Sequence, residues 1–235
     1  MDLKSQSAKL QKCLGLKIPP IAVSFLASAP RDIPRIGAAE AAGCAYWKLA
    51  AEGKVFYTEA SDHYNCPIGA FTHGIDLAPE TAKQLEGLME TMVGLQYIKK
   101  EDIPSIPHRS QPFGAAVYAP LDKAPREPDV VLVRGNAAQM MLLAEAAQAA
   151  GAAGGRVAAM GRPTCAVLPE AMQSAQAAVS FGCAGNRVYT GAGENEAYCA
   201  IPGSKLEAVA GKLEVILRAN RELKSFHETR RAAHA

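Results

Sequence analysis

The chain has no long apolar run, little aromatic character, no excess of one charge and no closely spaced cysteine pair. Nothing in it approaches the roughly 20 apolar residues needed to span a bilayer. Aromatic residues are 6% of the sequence, so base-stacking platforms are poorly supplied. The formal net charge is +2, too small for the basic field of a nucleic-acid binder. Neither G-x-G-x-x-G nor G-x-x-x-x-G-K-[ST] occurs, so no motif points to a nucleotide cofactor. The absence of C-x-x-C excludes the zinc-ribbon and bacterial-ferredoxin signatures. The opening MDLKSQSAKLQKCLGLKIPP has neither the apolar core nor the cleavage site of a signal peptide. A cytoplasmic protein without membrane or nucleic-acid partners is expected.

What is present is a hydrophobic fraction of 49% over 235 residues, enough for a sizeable core. There are six cysteines. In a reducing compartment such residues are more often free, metal-binding or catalytic than disulfide-bonded. Four of them recur in a pattern. The stretch from Cys44 to Gly74 reads cysteine, helix, strand, cysteine, glycine, and so does the stretch from Cys165 to Gly191.

Along the chain, Ser5 to Leu16 has the apolar spacing of a short amphipathic helix, closed by Pro19 and Pro20. Strands are expected at Ile21–Leu26, Lys54–Thr58, Gly114–Tyr118, Pro128–Val133, Arg156–Met160, Ala178–Phe181 and Ala197–Ile201. Helices are expected from Cys44 to Glu52 and from Pro79 to Leu95. A third runs from Ala137 to Ala150, with Asn136 as its cap, and a last one starts near Ser204. The tail from Lys224 to Ala235 reads as frayed. The strand–turn–helix unit at Pro128–Ala150 argues for a parallel component in the sheet.

The offset that carries Cys44 onto Cys165 also carries Leu85, Leu88, Met92 and Leu95 onto Leu206, Val209, Leu213 and Ile216. Internal duplication follows as a working expectation. The fold class is then α/β, with mixed α+β open. Two pseudo-symmetric halves, residues 1–108 and 109–235, each form a small partly parallel sheet with helices and pack as one globular unit. The proline-rich segment Pro104 to Pro112 divides them.

A pseudo-two-fold would gather Cys44, Cys66, Cys165 and Cys183 at the interface of the halves, a common location for ligand sites. Thiolates near helix starts and glycine loops suit an iron–sulfur cluster of the 4Fe-4S kind. Zinc, a redox or nucleophilic cysteine, and simple packing are the competing readings. Cys13 and Cys199 read as core. Among other polar residues, His73 and His63 flank Cys66 and are candidates for a cluster-adjacent acid or ligand, or for turn caps. Asn136, with Gln139, sits at the end of the best strand, where it lines a pocket or merely caps a helix. Arg187, after Asn186, offers a guanidinium fork to an anionic substrate, or belongs to a solvated turn.

The stretches LGLKIPPIAVSF, GCAYWKLAAEGKVFY, CPIGAFTHG, PDVVLVRGNAAQ, PTCAV, SFGCAGNR and AIPGSKLE together resemble the uncharacterised domain of unknown function 169 family. The resemblance covers roughly Leu14 to Leu217. It implies a one-piece cytosolic module and supplies no reaction. Three function classes follow. The first is a cluster-binding protein in electron transfer, or a redox or lyase enzyme on a small molecule. The second is a metal-free small-molecule binding or sensing module with its pocket between the halves. The third is a structural subunit. The partner is then a small molecule or a redox protein, with a homo-oligomer left open.

Overall fold

The computed structural model describes residues 1–154, 158–160 and 163–234. The chain opens with α1 (Leu3–Leu14), whose cap Asp2 accepts a hydrogen bond from the Ser5 N–H. Gly15 ends it in the left-handed conformation at φ 62°, which glycine adopts without penalty. Then follow β1 (Ile21–Leu26), α2 (Ala45–Ala51), β2 (Phe56–Thr58), α3 (Pro67–His73) and α4 (Pro79–Gly94). The order continues with β3 (Ala115–Pro120), β4 (Val130–Asn136), α5 (Ala137–Ala149), β5 (Ala158–Met160) and α6 (Val167–Ser174). It closes with β6 (Ala178–Ser180), α7 (Ala184–Thr190), β7 (Glu196–Pro202) and α8 (Leu206–Ala233). Among the described residues, no helix is long and apolar enough to cross a membrane.

The strands form one seven-stranded sheet in the order β2-β3-β1-β4-β7-β6-β5. This corrects the expectation of two small, partly parallel sheets. β1 lies antiparallel between β3 and β4, and β7 lies antiparallel between β4 and β6. β2 is antiparallel to β3. Among the described residues the one parallel strand pair is β5–β6, at the sheet edge. The β4–α5 unit does not place a parallel strand beside β4, because the chain after α5 goes to the far edge instead. A strand–turn–helix pattern fixes that the chain turns back, not where it lands. Of the strand expected at Arg156–Met160, Arg156 and Val157 lie outside the described residues.

Alternation along β4 sorts the core into two layers. Val131 and Val133 face one cluster with Leu10, Leu143, Leu206, Val209 and Leu213, from α1, α5 and α8. Val130 and Leu132 face the other, with Cys44, Tyr46, Trp47, Val167, Leu168 and Ala171, around α2 and α6. The result is a mixed α/β protein with helices on both faces of its sheet.

Two further expectations are corrected. The apolar stripes of α4 and α8 are not equivalent, since α4 precedes β3 and buries no residue, whereas α8 follows β7 and buries Leu206, Val209, Ala210 and Leu213. The C-terminal tail is helical to Ala233 rather than frayed, although its last turns are exposed.

Candidate thiol site

Four cysteines stand at the starts of short helices on the α2–α6 side of the sheet. Cys44 immediately precedes α2, and its carbonyl accepts the Trp47 N–H. Cys66 precedes α3, whose first residue is Pro67, a position where the missing N–H costs nothing. A β-carbon at Gly69 would stand 2.9 Å from Cys66 Sγ, so glycine lets the thiol lie back on the first turn. Cys165 sits in the 3-10 turn Thr164–Ala166 that leads into α6. Cys183 precedes α7, and its N–H donates to Thr164 Oγ1 at 2.6 Å. Both α3 and α7 end at a left-handed glycine, Gly74 at φ 68° and Gly191 at φ 65°.

The structure brings these four thiols within each other's electrostatic reach. Burial pushes the Cys44 thiol up to about 12, and the charges of Cys66 and Cys183 push in the same direction. The Asn186 amide, close by but outside ordinary hydrogen-bond geometry, opposes the rise. Cys165 is raised by burial and then by Cys66, Cys183 and Cys44, against a contact with the Thr72 hydroxyl. For Cys183 burial again works upward, but hydrogen bonds from Thr164 and from the Asn186 backbone outweigh it and lower the thiol. Cys199 is different: burial alone raises it to about 12, and it lies in the core on the other face. Cys13 packs against that same core. Among the described residues, no three or more Cys, His, Asp or Glu side chains are arranged to hold a metal ion.

Unpartnered buried polar atoms are concentrated on the same face. Trp47 Nε1, Tyr118 Oη, His63 Nδ1, His73 Nε2 and both amide atoms of Asn186 are buried without a hydrogen-bond partner. Native interiors leave few such groups, and each calls for a reason. Asn186 is 1% exposed, as are His63 and His73. Tyr118 lies within electrostatic reach of both Cys165 and Cys44.

The two histidines form a pair with ring centroids 5.2 Å apart. His63 Nε2 meets Thr58 Oγ1 at 2.9 Å, and His73 Nδ1 meets the Gly69 carbonyl at 2.7 Å. Burial holds His63 well below its ordinary value, with His73 adding to the effect. Burial likewise lowers His73 to about 4, opposed by the Gly69 carbonyl and aided by Arg109. Arg109 reaches this place because its N–H donates to the Thr72 carbonyl at 3.0 Å. Its guanidinium stacks 4.2 Å from the Phe25 ring centroid and 5.8 Å from that of Phe113.

Of the residues singled out from the sequence, His73 thus joins the thiol neighbourhood, while Asn136 and Arg187 take structural roles. Asn136 forms a reciprocal capping box with Gln139 at the start of α5. The Arg187 fork donates to the carbonyls of Phe181, Gly193 and Glu196, clamping the chain on both sides of α7. Sequence reasoning passed over Arg109, Phe25 and Phe113. Arg109 and Phe113 lie in and beside a proline-rich segment that reads as a boundary, and only long-range pairing sets them against α3. An arginine near an aromatic in such a segment was the one available signal.

Fold and site together define a mixed α/β protein with one helix-covered face given to packing and the other to thiols and buried imidazoles. The chain belongs to the DUF169 family, described as uncharacterised ArCR, whose model matches residues 9–212. No curated protein and no solved structure matches it.

Proposed function

We propose that the protein binds an iron–sulfur cluster, of the 4Fe-4S kind, through Cys44, Cys66, Cys165 and Cys183. The observation that carries this reading is the placement of those four cysteines at the starts of short helical segments on one side of the sheet, whereas Cys13 and Cys199 pack on the other. A cluster takes its thiolates from around a polyatomic core, so its ligands need not meet at one point. The residues present fit such a group in two further respects. The neighbouring orphaned donors, Asn186 Nδ2 and Trp47 Nε1, can donate to sulfur. The apolar surroundings of α2 and α6 limit water, and both effects tune cluster potentials. When bound, the group supplies one-electron chemistry or a Lewis-acidic iron. The chain's own contribution is to hold the thiols, shield them and present His63, His73 and Arg109 beside them. The process served is electron transfer or a redox or lyase reaction on a small molecule, in the cytoplasm.

Internal duplication belongs to this proposal. The strand neighbours β2-β3-β1 and β6-β7-β4 mirror one another across the antiparallel β1–β4 pair. Ile21 stands opposite Pro120, and Val130 opposite Pro202. Each of those prolines leads into a 3-10 turn whose first N–H donates back, Leu121 to the Pro20 carbonyl and Gly203 to that of Asp129. Under this reading α3 and α7 are counterparts, and β3 with its 3-10 turn belongs to the first half, which then ends at Lys123 rather than at residue 108 as the proline-rich segment suggests.

Anaerobic purification followed by iron and sulfide analysis and a visible spectrum tests the cluster. Brown protein with matching iron and sulfide is expected, and colourless, iron-free protein overturns the reading. A second reading, a metal-free small-molecule module, is favoured by a cavity of about 550 Å³ lined by Ile103, Ile106, Pro107 and Ala166. That volume lies within the range of small-molecule sites.

A further inference from the structure

We propose that His73 and Arg109 form a binding site for a small 2-hydroxycarboxylate, with Arg109 holding the carboxylate and His73 Nε2 accepting the hydroxyl hydrogen. The proposal names a substrate class for the small-molecule side of the reading above and does not require the cluster.

The tautomer of His73 follows from its neighbour. A carbonyl oxygen only accepts, so the 2.7 Å contact with the Gly69 carbonyl places the hydrogen on Nδ1. The ring is neutral at pH 7, because burial and Arg109 disfavour its cation. Nε2 is then a bare acceptor, buried and without a partner. Such an atom cannot bind an anion, but it suits the O–H of a ligand.

Arg109 supplies the complement. Its Nε is buried and unpartnered, and its terminal nitrogens have only the Met172 sulfur at 3.8 Å and the Gln111 carbonyl at 3.4 Å. Among the described residues it makes no ion pair. Asp129 favours its charge from nearby, but that carboxylate accepts the Phe25 N–H at 2.7 Å. A half-buried guanidinium with such weak partners is costly unless an anion joins it, and its planar fork matches a carboxylate. Phe25 and Phe113 wall the pair. The Phe25 ring lies 5.7 Å from that of His73, and Phe113 contacts Phe25, His63 and His73. The nearest cavity along the chain is lined by Ile106 and Pro107, two residues before Arg109, and by Ala166. A cation, a neutral acceptor and aromatic walls suit a carboxylate that also bears a hydroxyl.

Calorimetric titration of the anaerobically purified full chain tests this, using mandelate, phenylacetate and inorganic phosphate. Mandelate and phenylacetate differ by the one hydroxyl. Mandelate is expected to bind about tenfold more tightly than phenylacetate, and phosphate more weakly than either. Arg109→Gln should weaken both carboxylates by about tenfold or more, and Arg109→Lys by less. His73→Phe should bring mandelate down to the affinity of phenylacetate. Circular dichroism checks that the variants fold, and the wild-type comparison stands without them. No binding of either carboxylate at millimolar concentrations, equal binding of the two, or a preference for phosphate overturns the proposal. Iron analysis of the same sample separates the two readings. Iron-free protein that still discriminates the hydroxyl loses the cluster and keeps this site, and iron-loaded protein that does not discriminate does the reverse.

Discussion

The two faces of the sheet are built to different ends. On the α1–α5–α8 face, Leu10, Leu143, Leu206, Val209 and Leu213 close over Val131, Val133 and Ile201. The polar groups there are matched: Ser7 Oγ accepts from Gln11, and the Gln139 amide donates to the carbonyls of Leu14 and Gly15. The opposite face buries Trp47, Tyr46, Tyr118 and Tyr198 together with thiols, imidazoles and an amide, and several of these polar atoms lack partners. An unsatisfied buried group costs about 1–3 kcal/mol. Both faces bury a core, but the thiol face also keeps polar groups without partners among the described residues, as the proposed site requires.

The sharpest way to break this contrast is to exchange cysteines between faces. Cys44→Ser, Cys66→Ser, Cys165→Ser and Cys183→Ser should each strip or destabilise the cluster, read as loss of iron and sulfide. Cys199→Ser should keep the metal and lose about 1–3 kcal/mol of stability, because it buries a hydroxyl in an apolar core. Iron retained in all four of the first group, or lost only in Cys199→Ser, reverses the assignment of the faces.

Next in size is a truncation confined to the packing face. Leu143 is fully buried between α5 and its neighbours, so Leu143→Ala should cost about 2–5 kcal/mol in urea unfolding. Iron content and mandelate binding should stay at wild-type levels. A loss of either would mean that the two layers are coupled through the sheet.

The packing face was the more legible of the two in the sequence. Apolar periodicity located α1 and the start of α8, the Asn136 cap and Gly151 bounded α5, and the run Ile21–Leu26 is β1 as observed. Periodicity records that a stripe is apolar and not what covers it, so the equally regular stripe of α4 misled: Leu88 remains 41% exposed. Cysteine and glycine spacing suggests glycine-containing loops at Cys66 and Cys183, but each cysteine instead leads a short helix, α3 or α7, that ends at a left-handed glycine. Sheet order was not legible, since pairing β1 with β3 joins residues far apart in the chain. For the same reason Arg109, Phe25 and Phe113 escaped notice. For Asn136 the cap alternative is the one seen, and Arg187 holds carbonyls, because a cap and a carbonyl clamp use the same residue types as a ligand site.

A pH titration of the cluster-free protein sharpens the contrast on the thiol face. His73 titrates at about 4 when folded, against 6.5 as its ordinary value, and His63 is lowered as well. Between those pH values the unfolded chain binds protons that the folded chain refuses, so stability rises with pH. The contribution is fully present above about 6.5 and is lost as pH falls through about 4, on the order of 3 kcal/mol for His73. His73→Phe should flatten that part of the profile in thermal melts. An unchanged slope would place the acid sensitivity elsewhere.

The smallest effects separate two asparagines, each at the start of a helix. Asn136 caps α5, and its side-chain oxygen accepts the Gln139 N–H at 3.0 Å. Asn136→Ala should therefore cost about 1 kcal/mol and leave iron and ligand binding alone. Asn186 lies in the first turn of α7, but its amide is turned to the buried interior beside Cys44 and leaves both polar atoms unpaired. Asn186→Leu keeps the volume and removes those atoms. It should raise the stability of cluster-free protein by about 1 kcal/mol, while weakening retention of the cluster. Opposite signs for two changes of the same residue type would follow from one difference: Asn136 has its partner within the chain, and Asn186 awaits one from outside it. If Asn186→Leu destabilises the cluster-free protein as Asn136→Ala does, the amide is part of the packing, and the face that carries the thiols is as self-sufficient as the other.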